Sequence, residues 1–592
     1  MLHVIRRLLP LLLIAVATGC AARPDPQQLA AEAQAAPEGA SAARGSAAAA
    51  AARRHMVVAA NPLAAEAGLE ILRAGGSAVD AAIATQLVLN LVEPQSSGIG
   101  GGAFLLHYTA ESGALDAYDG RETAPAAATP ALFLTPEGAP MDFWSAVVGG
   151  RSVGTPGLLR LLELAHREHG RLPWARLFAP AIGLAGQGFA ISPRLHALLA
   201  EEQYLKRDPE AAALYYEPDG TPKAVGTRLR NPEFAETLRA IAEGGAEAFY
   251  DGTIARDIVA EVQGAAGNPG LLALDDLANY QAKRREAICQ PYRAWLICGM
   301  PPPTSGGVAV LQIMAMLEPF DLAALPPPAP TTAAAEAVHL IAEASRLAFA
   351  DRDRYLADAD FVDVPVGALL DPGYLRARSA LIRRDASLGT AAPGLDERQD
   401  GAMPAQPDPP ATSHLVVVDE AGNVVSMTSS IESAFGARLM VRGFLLNNEL
   451  TDFSFAPEAD GRPVANRVEP GKRPRSSMAP VIVLDGSGRP VLALGSPGGS
   501  SIIGYVVKAL VALLDWRMEP QAAAALPNFV NRNGPTDLEF GSALTALVPA
   551  LQARGQQLRF REMTSGLHIV AISPDGLYGG ADPRREGVAL GD

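Results

Sequence analysis

The sequence predicts a mixed α/β (α+β) protein in which helices open the folded part and strands dominate the second half. Three observations predict it. Two capped, periodic segments between residues 61 and 91 mark consecutive helices. After residue 412, short apolar and β-branched runs recur between turn residues, as strands do. Helical patterns near 333–355 and 505–515 flank those runs. The chain has 592 residues, 48% of them hydrophobic, so it can bury a large core or two. Its formal net charge of −15 repels phosphate backbones and argues against a nucleic-acid partner.

The first residues, "MLHVIRRLLPLLLIAVATGC", are an export signal rather than structure. Arg6 and Arg7 form a basic start, Leu8 to Ala17 an apolar run too short to span a bilayer, and Ala17-Thr18-Gly19 a small-residue cleavage site. Cys20 after Gly19 resembles a bacterial lipoprotein box, and Ala21 behind it favours the outer membrane; the plainer alternative is an ordinary secretory signal. An exported, periplasmic, lipid-anchored protein is therefore expected. Residues 21–53 are Ala, Pro and Gly with almost no large apolar side chain, and read as a disordered tether.

The elements follow in order. Asn61-Pro62 is an N-cap with Pro at the first helical position, Leu63, Leu69 and Leu72 form one stripe, and Gly75 ends the helix. Ser77 with Asp80 makes a capping box for a second helix to about Leu91. Further helices are expected near 157–168 and 232–242. Strands are expected at 103–108, 414–418, 424–429, 479–484, 490–494 and 567–572. Cys289 and Cys298 lie on two short strands around Gln290-Pro291-Tyr292-Arg293, where register decides between a cross-strand disulfide and two buried thiols.

Two glycine-rich stretches need a reading. "GIGGGA" (98–103) matches a dinucleotide fingerprint as a string, but it follows a helix and leads into a strand, the reverse of a Rossmann turn. Close backbone packing explains it better. "VLALGSPGGSSIIGYVVKAL" (491–510) runs strand, glycines, helix, without the Lys of a phosphate loop. Such a junction is a tight turn or, with its N–H groups and dipole end, half of an oxyanion hole.

No metal-ligand spacing is present: H-E-x-x-H is absent, and His166 and His169 share a polar helix face with Arg167 and Glu168. No G-x-S-x-G elbow occurs either. No metal and no cofactor are expected. Hydroxyl chemistry remains, at Thr412. Prolines stop just before Thr412-Ser413-His414, and a hairpin begins at once, with Leu415–Val418 and Val424–Met427 around a turn. A Thr hydroxyl needs a base, and cutting the Ala411–Thr412 bond would create one: the new α-amino group, with a reference pKa near 8. The alternative is an ordinary Thr at a strand edge.

From His55 onward the chain resembles the γ-glutamyltransferases (γ-glutamyl transpeptidases), members of the N-terminal-nucleophile hydrolase superfamily. The resemblance rests on seven strings in order: "NPLAAEAGLEILRAGGSAVDAAIATQLVLNLVEPQSSGIGGG", "DGRETAP", "MPPPTSGG", "TSHLVVVDEAGNVVSMT", "LLNNELTDF", "GKRPRSSMAP" and "GSPGGS". It implies a four-layer αββα sandwich made as one precursor that cleaves itself before Thr412. The products would be a large subunit (54–411, behind the signal 1–20 and tether 21–53) and a small catalytic subunit (412–592), held together as a heterodimer. It implies that Thr412 is the nucleophile, forming a γ-glutamyl ester, with Gly498 and Gly499 as the oxyanion backbone. Arg121, Ser476 and Ser477 would hold the α-carboxylate of the γ-glutamyl group, and Glu449 and Asp452 its α-ammonium. Without the resemblance, Arg121 reads as a surface ion-pair former and Ser476-Ser477 as a turn.

The sequence departs from the family pattern in places. Ser430 replaces a second Thr that supports the nucleophile, keeping the hydroxyl but losing the methyl that fixes its rotamer. Glu432 replaces a neutral Asn near the α-ammonium, so three carboxylates would face one ligand cation and at least one should titrate above about 4. The plainer alternative pairs Glu432 with Arg438 or Arg442. The segment between Asp452 and Ser476 is shorter than the lid some members carry. The implied activity is transfer of γ-glutamyl groups from glutathione-like donors to water or to amino-acid or peptide acceptors. Alternatives are a cephalosporin or glutaryl acylase on the same scaffold, and a processed but inactive peptide-binding lipoprotein.

Overall fold

The computed structural model describes residues 48–329, 331–395 and 411–592. The signal segment, Cys20 and tether residues 21–47 lie outside the described residues. The tether expected over residues 21–53 does not hold at its far end. Ala50–Ala52 forms an edge strand paired with Gly576–Ala581. Composition misleads there because an edge strand is held by backbone hydrogen bonds, which alanine supplies as well as any residue. No helix among the described residues is long and apolar enough to cross a membrane.

Two seven-stranded antiparallel sheets form the frame. The first runs Val588–Gly591, Met56–Ala59, Ser413–Val418, Val424–Ser430, Gly102–Thr109, Ala114–Gly120, Lys283–Glu286. The second runs Ala50–Ala52, Gly576–Ala581, His568–Ser573, Pro490–Gly495, Val481–Leu484, Trp295–Gly299, Ile288–Tyr292. Strand alternation sorts the first sheet's side chains into two cores. Met56, Val58, Phe104, Leu106, Val416 and Val418 face the second sheet, whereas Val57, Ala59, Ala103, Leu105, Leu415 and Val417 face helices. A strand buried on both faces reads as a continuous apolar run, which is why "LVVV" is unbroken.

Helices cover both outer faces. Pro62–Arg73, Ala78–Val92 and Leu158–His169 pack on the first sheet, and Gly306–Leu317, Thr332–Tyr355 and Ile502–Leu514 lie with the second. This is the expected four-layer αββα arrangement. The Asn61 cap and the Ser77–Asp80 capping box are both formed. The "GIGGGA" glycines serve close packing. A Cβ on Gly101 would lie 2.0 Å from the Ser430 carbonyl oxygen, and one on Gly100 2.1 Å from that of Leu445. Cys289 and Cys298 are direct cross-strand partners and form a disulfide. Pro291 is tolerated because its strand is at the sheet edge.

Candidate active site

Thr412 stands at the head of the central strand Ser413–Val418, flanked by Met56–Ala59 and Val424–Ser430. Ser413 pairs with Ser429, which brings Thr412 beside Ser430; their hydroxyl oxygens are 3.2 Å apart. Ser430 Oγ also accepts the Glu432 N–H at 2.8 Å, and the Thr412 carbonyl accepts from Arg585 Nη1 at 3.0 Å. Ala411 and Thr412 are both buried. Thr412 has φ +122°, a region that a β-branched residue enters only under strain, at a cost of about 1–3 kcal/mol. The strain sits directly on the Ala411–Thr412 junction.

The second glycine stretch arrives from the other sheet. Strand Pro490–Gly495 leads to Gly498 (φ +134°) and a 3₁₀ turn, Gly499–Ser501, which opens helix Ile502–Leu514. A Cβ on Gly498 would approach the Tyr505 ring to 2.6 Å, so glycine is required for conformation and for space. The start of a helix turns backbone N–H groups and the positive dipole end outward.

One cavity of about 30 Å³ is lined by Ala411, Thr412, Ser430, Glu432, Glu449, Asp452, Ser476, Ser477, Met478, Gly499 and Ile502. The structure thus brings together nine residues singled out from sequence: Ala411, Thr412, Ser430, Glu432, Glu449, Asp452, Ser476, Ser477 and Gly499. Gly498 and Arg121 stand just behind the lining. Arg121 is fully buried, and its guanidinium pairs with Glu449 through Nη1 and Asp452 through Nη2. It also donates to the carbonyls of Pro474 (3.1 Å) and Arg475 (3.2 Å). The sequence reading set Arg121 against a ligand carboxylate. Here it faces the two acids meant for the ligand's ammonium, because a buried guanidinium must be paired.

The neighbouring residue Glu122, quoted in "GRETAP" but given no role, is the group the sequence reading missed. It is fully buried, 3.7 Å from Arg121 Nη1, and among the described residues neither carboxylate oxygen has a hydrogen-bond partner. Burial, and after it the charge of Glu449, holds Glu122 well above the usual carboxylate range. Burial also pushes Glu449 up to about 7, against the pull of Arg121 and aided by Asp452. The expectation of an acid titrating above about 4 is met, with Glu122 as an added member of the cluster.

Glu432 is 7% exposed and has φ +74°. Its Oε2 accepts from Asn448 Nδ2, whose carbonyl oxygen holds the Ser433 N–H at 3.0 Å. Arg438 instead pairs with Glu202 and donates to Ser433 Oγ, and Arg442 pairs with Asp257. Ser476 Oγ accepts the Met478 N–H at 3.1 Å, and Ser477 Oγ accepts from Arg352 Nη2 at 2.6 Å.

Away from the cavity, His107, Asp116 and His169 gather with ligand-type atoms within 4.8 Å of one another. Sequence spacing hid this group, because His107 and Asp116 are cross-strand partners and His169 ends a helix above them. Their atoms are already engaged: Asp116 by Arg284, and His169 Nε2 by the Tyr118 hydroxyl at 2.7 Å. It is a polar network at the helix–sheet seam.

Comparison with known proteins agrees with this geometry. The family model described as Gamma-glutamyltranspeptidase matches residues 64–592. The glutathione hydrolase proenzyme of Bacillus subtilis (strain 168) is 36% identical over 551 residues, 90% of this chain and 91% of that protein. The Acylase ACY 1 proenzyme of Pseudomonas sp. (strain SE83) is 38% identical over 538 residues, 89% and 91% of the two chains. The crystal structure of cephalosporin acylase from Bacillus halodurans superposes with TM-score 0.77 at 27% identity, covering 93% of this chain and 97% of that one. The strained Thr412 at the head of a central strand, the glycine junction opposite it and the match across both cores lead to one conclusion: the chain belongs to the gamma-glutamyltranspeptidase family.

Proposed function

We propose that this protein is a self-processing γ-glutamyltransferase/hydrolase acting on glutathione-like γ-glutamyl amides. The observation that carries the reading is the composition of the single cavity at Thr412. Carboxylates that suit an ammonium (Glu432, Glu449, Asp452) and hydroxyls that suit a carboxylate (Ser476, Ser477) share it with the nucleophile. That pattern complements the zwitterionic head of an α-amino acid.

Processing comes first. Thr412 Oγ attacks the Ala411 carbonyl carbon, the C–N bond breaks with proton transfer to nitrogen, and water hydrolyses the resulting ester. Residues up to 411 leave as the large subunit, and 412–592 start with a free α-amino group beside Oγ. In turnover that amine takes the hydroxyl proton while Oγ attacks the γ-carbonyl, and the N–H groups of Gly498 and Gly499 stabilise the oxyanion. The protonated amine then gives its proton to the leaving amine. Water or an acceptor amine cleaves the γ-glutamyl ester by the same steps in reverse order. Ser430 holds the nucleophile's rotamer across the strand pair.

Donor binding is an exchange of partners. The ligand's ammonium takes Glu449 and Asp452, with Glu432 adding negative charge, and Arg121, released from them, takes the ligand carboxylate beside Ser476 and Ser477. Charge is conserved, so a zwitterion enters where a lone ion would leave a buried charge unpaired. A second reading, a glutaryl acylase, draws support from the Pseudomonas acylase likeness and from the same ion pair, which a donor without an ammonium would leave closed. Chromogenic γ-glutamyl and glutaryl anilides assayed side by side decide: preference for the first supports the transferase, and preference for the second overturns it.

We also read the protein as exported and periplasmic, anchored to the outer membrane by a lipid on Cys20. The amino-terminal signal supports this, and the Cys289–Cys298 disulfide fits an oxidising compartment. Cys20→Ser should release the protein from membrane fractions; retention would remove the anchor from the reading.

A further inference from the structure

"MPPPTSGG" has no role in the chemistry above, yet it meets the cavity from behind. Thr304 Oγ1 donates to the Met478 carbonyl at 2.7 Å. Ser305 donates twice to the Ser476 carbonyl, from N–H at 2.8 Å and from Oγ at 2.6 Å. Both residues are fully buried. Arg352, near the end of helix Thr332–Tyr355, joins this group. Its guanidinium donates through Nε to Ser305 Oγ at 2.9 Å and through Nη2 to Ser477 Oγ at 2.6 Å. Nη1 goes to Asp353 at 2.7 Å, and Arg475 Nη1 donates to the Arg352 carbonyl at 2.9 Å. Arg352 is 8% exposed and does not line the cavity, whereas Ser476 and Ser477 do.

The polarity of these bonds matters. A guanidinium can only donate, and a serine hydroxyl has one proton and two lone pairs. Each hydroxyl that accepts from Arg352 must send its own proton elsewhere. Ser305 demonstrates the rule, because its proton goes on to the Ser476 carbonyl. Ser477 accepts from the same guanidinium and borders the cavity, so its proton is directed there. Polarisation by a cation makes such a hydroxyl a stronger donor.

We propose that Arg352 is a positioning residue for donor recognition: it fixes Ser477 as a hydrogen-bond donor toward the α-carboxylate of the γ-glutamyl group. The inference rests on the reading of Ser477 as a carboxylate ligand. Arg352 and Ser305 precede Thr412, whereas Ser476 and Ser477 follow it, so the large subunit would tune a recognition turn of the small one.

The test uses the processed enzyme and two donors that differ only in the α-carboxylate: γ-glutamyl anilide and 4-aminobutyryl anilide. Arg352→Met should raise KM for the first about tenfold, with kcat within about twofold, and change the second less than twofold. Arg352→Lys, also a pure donor but able to reach one hydroxyl at a time, should recover about half of that loss on a logarithmic scale. It also keeps the test open if the Met variant fails to fold or mature. In a Ser477→Ala background, Arg352→Met should add less than about twofold. Equal losses on both donors, or an undiminished loss without Ser477, would make Arg352 a structural clamp and overturn the proposal. If Ser477→Ala alone leaves γ-glutamyl turnover unchanged, the reading of Ser477 fails and this proposal falls with it. A normal Ser477→Ala loss beside an additive Arg352→Met loss removes this proposal alone.

Discussion

The two ends of the cavity are built from different materials. At the reacting end, Thr412, Ser430 and the Gly498-Gly499 junction offer hydroxyls and backbone, without an ionised side chain in the lining. At the recognition end, Arg121, Glu122, Glu449 and Asp452 pack three acids around one guanidinium, and Glu432, held by Asn448, also lines the cavity. The difference separates what must be placed from what must be exchanged. Hydroxyl and backbone groups need geometry and lose everything when one atom is removed. On the proposed exchange, the ion pairs would trade partners with the ligand, so their loss should be graded and depend on pH.

The largest effect should come from the reacting end. Thr412→Ala should remain one band and show no activity. With the signal removed, the parent chain should resolve into pieces of about 41 kDa (residues 21–411) and about 19 kDa (412–592), scaled from 61.6 kDa over the whole sequence, because the amine base exists only after the cut. A Thr412→Ala chain that still splits would dissolve the distinction between the two ends. Next comes the guanidinium. Arg121→Ala should lower kcat/KM for γ-glutamyl anilide about 30- to 1,000-fold, the equivalent of about 2–4 kcal/mol, with Arg121→Lys recovering part. A change within about threefold would make Arg121 purely structural.

A smaller effect, and a sharper probe of exchange, is pH. Glu449, raised to about 7, is protonated below that pH and cannot pair an ammonium, so amino-acid binding should strengthen as pH rises through it. Between pH 6 and 8 the inhibition constant of glutamate should fall about tenfold, while that of glutarate, which lacks the ammonium, should not follow. Parallel curves for the two would move the titration out of the recognition end. The smallest effect should be that of Glu432→Gln: a few-fold loss of discrimination between γ-glutamyl and glutaryl anilides, with the acid limb of kcat/KM moved to lower pH. An unmoved limb with unchanged discrimination would leave Glu432 outside the ligand contacts.

Much of the frame was legible in the sequence because local chemistry agreed with the fold. Helix Pro62–Arg73 follows its cap, stripe and terminal glycine, and the hairpin 413–430 follows its turn and β-branched runs. Helix Gly306–Leu317 was missed: it is buried nearly all round and offers no polar face to give it a period. Strand Lys283–Glu286 was missed for the opposite reason, since its charged residues show no apolar alternation. At the site, the residue types were readable but not their mutual partners. The Arg121 pairing crosses more than three hundred residues, and the unsatisfied state of Glu122 exists only once the chain is folded.

The order of strands in the two sheets has a further consequence. In the first sheet Met56–Ala59 lies between Val588–Gly591 and Ser413–Val418, and the hairpin strand Val424–Ser430 is followed by Gly102–Thr109. In the second, four strands from beyond Thr412 are bracketed by strands from before it. A cut at residue 411 therefore leaves two interlaced polypeptides that cannot part without dismantling both sheets. Before the cut, folding is a unimolecular event. Afterwards, recovery from denaturation requires two fragments to find each other and thread the same weave, so it becomes dilution-sensitive and slow. Maturation by that cut would thus work as a ratchet: the mature form would keep its shape through the rate of unfolding, with no easy route back.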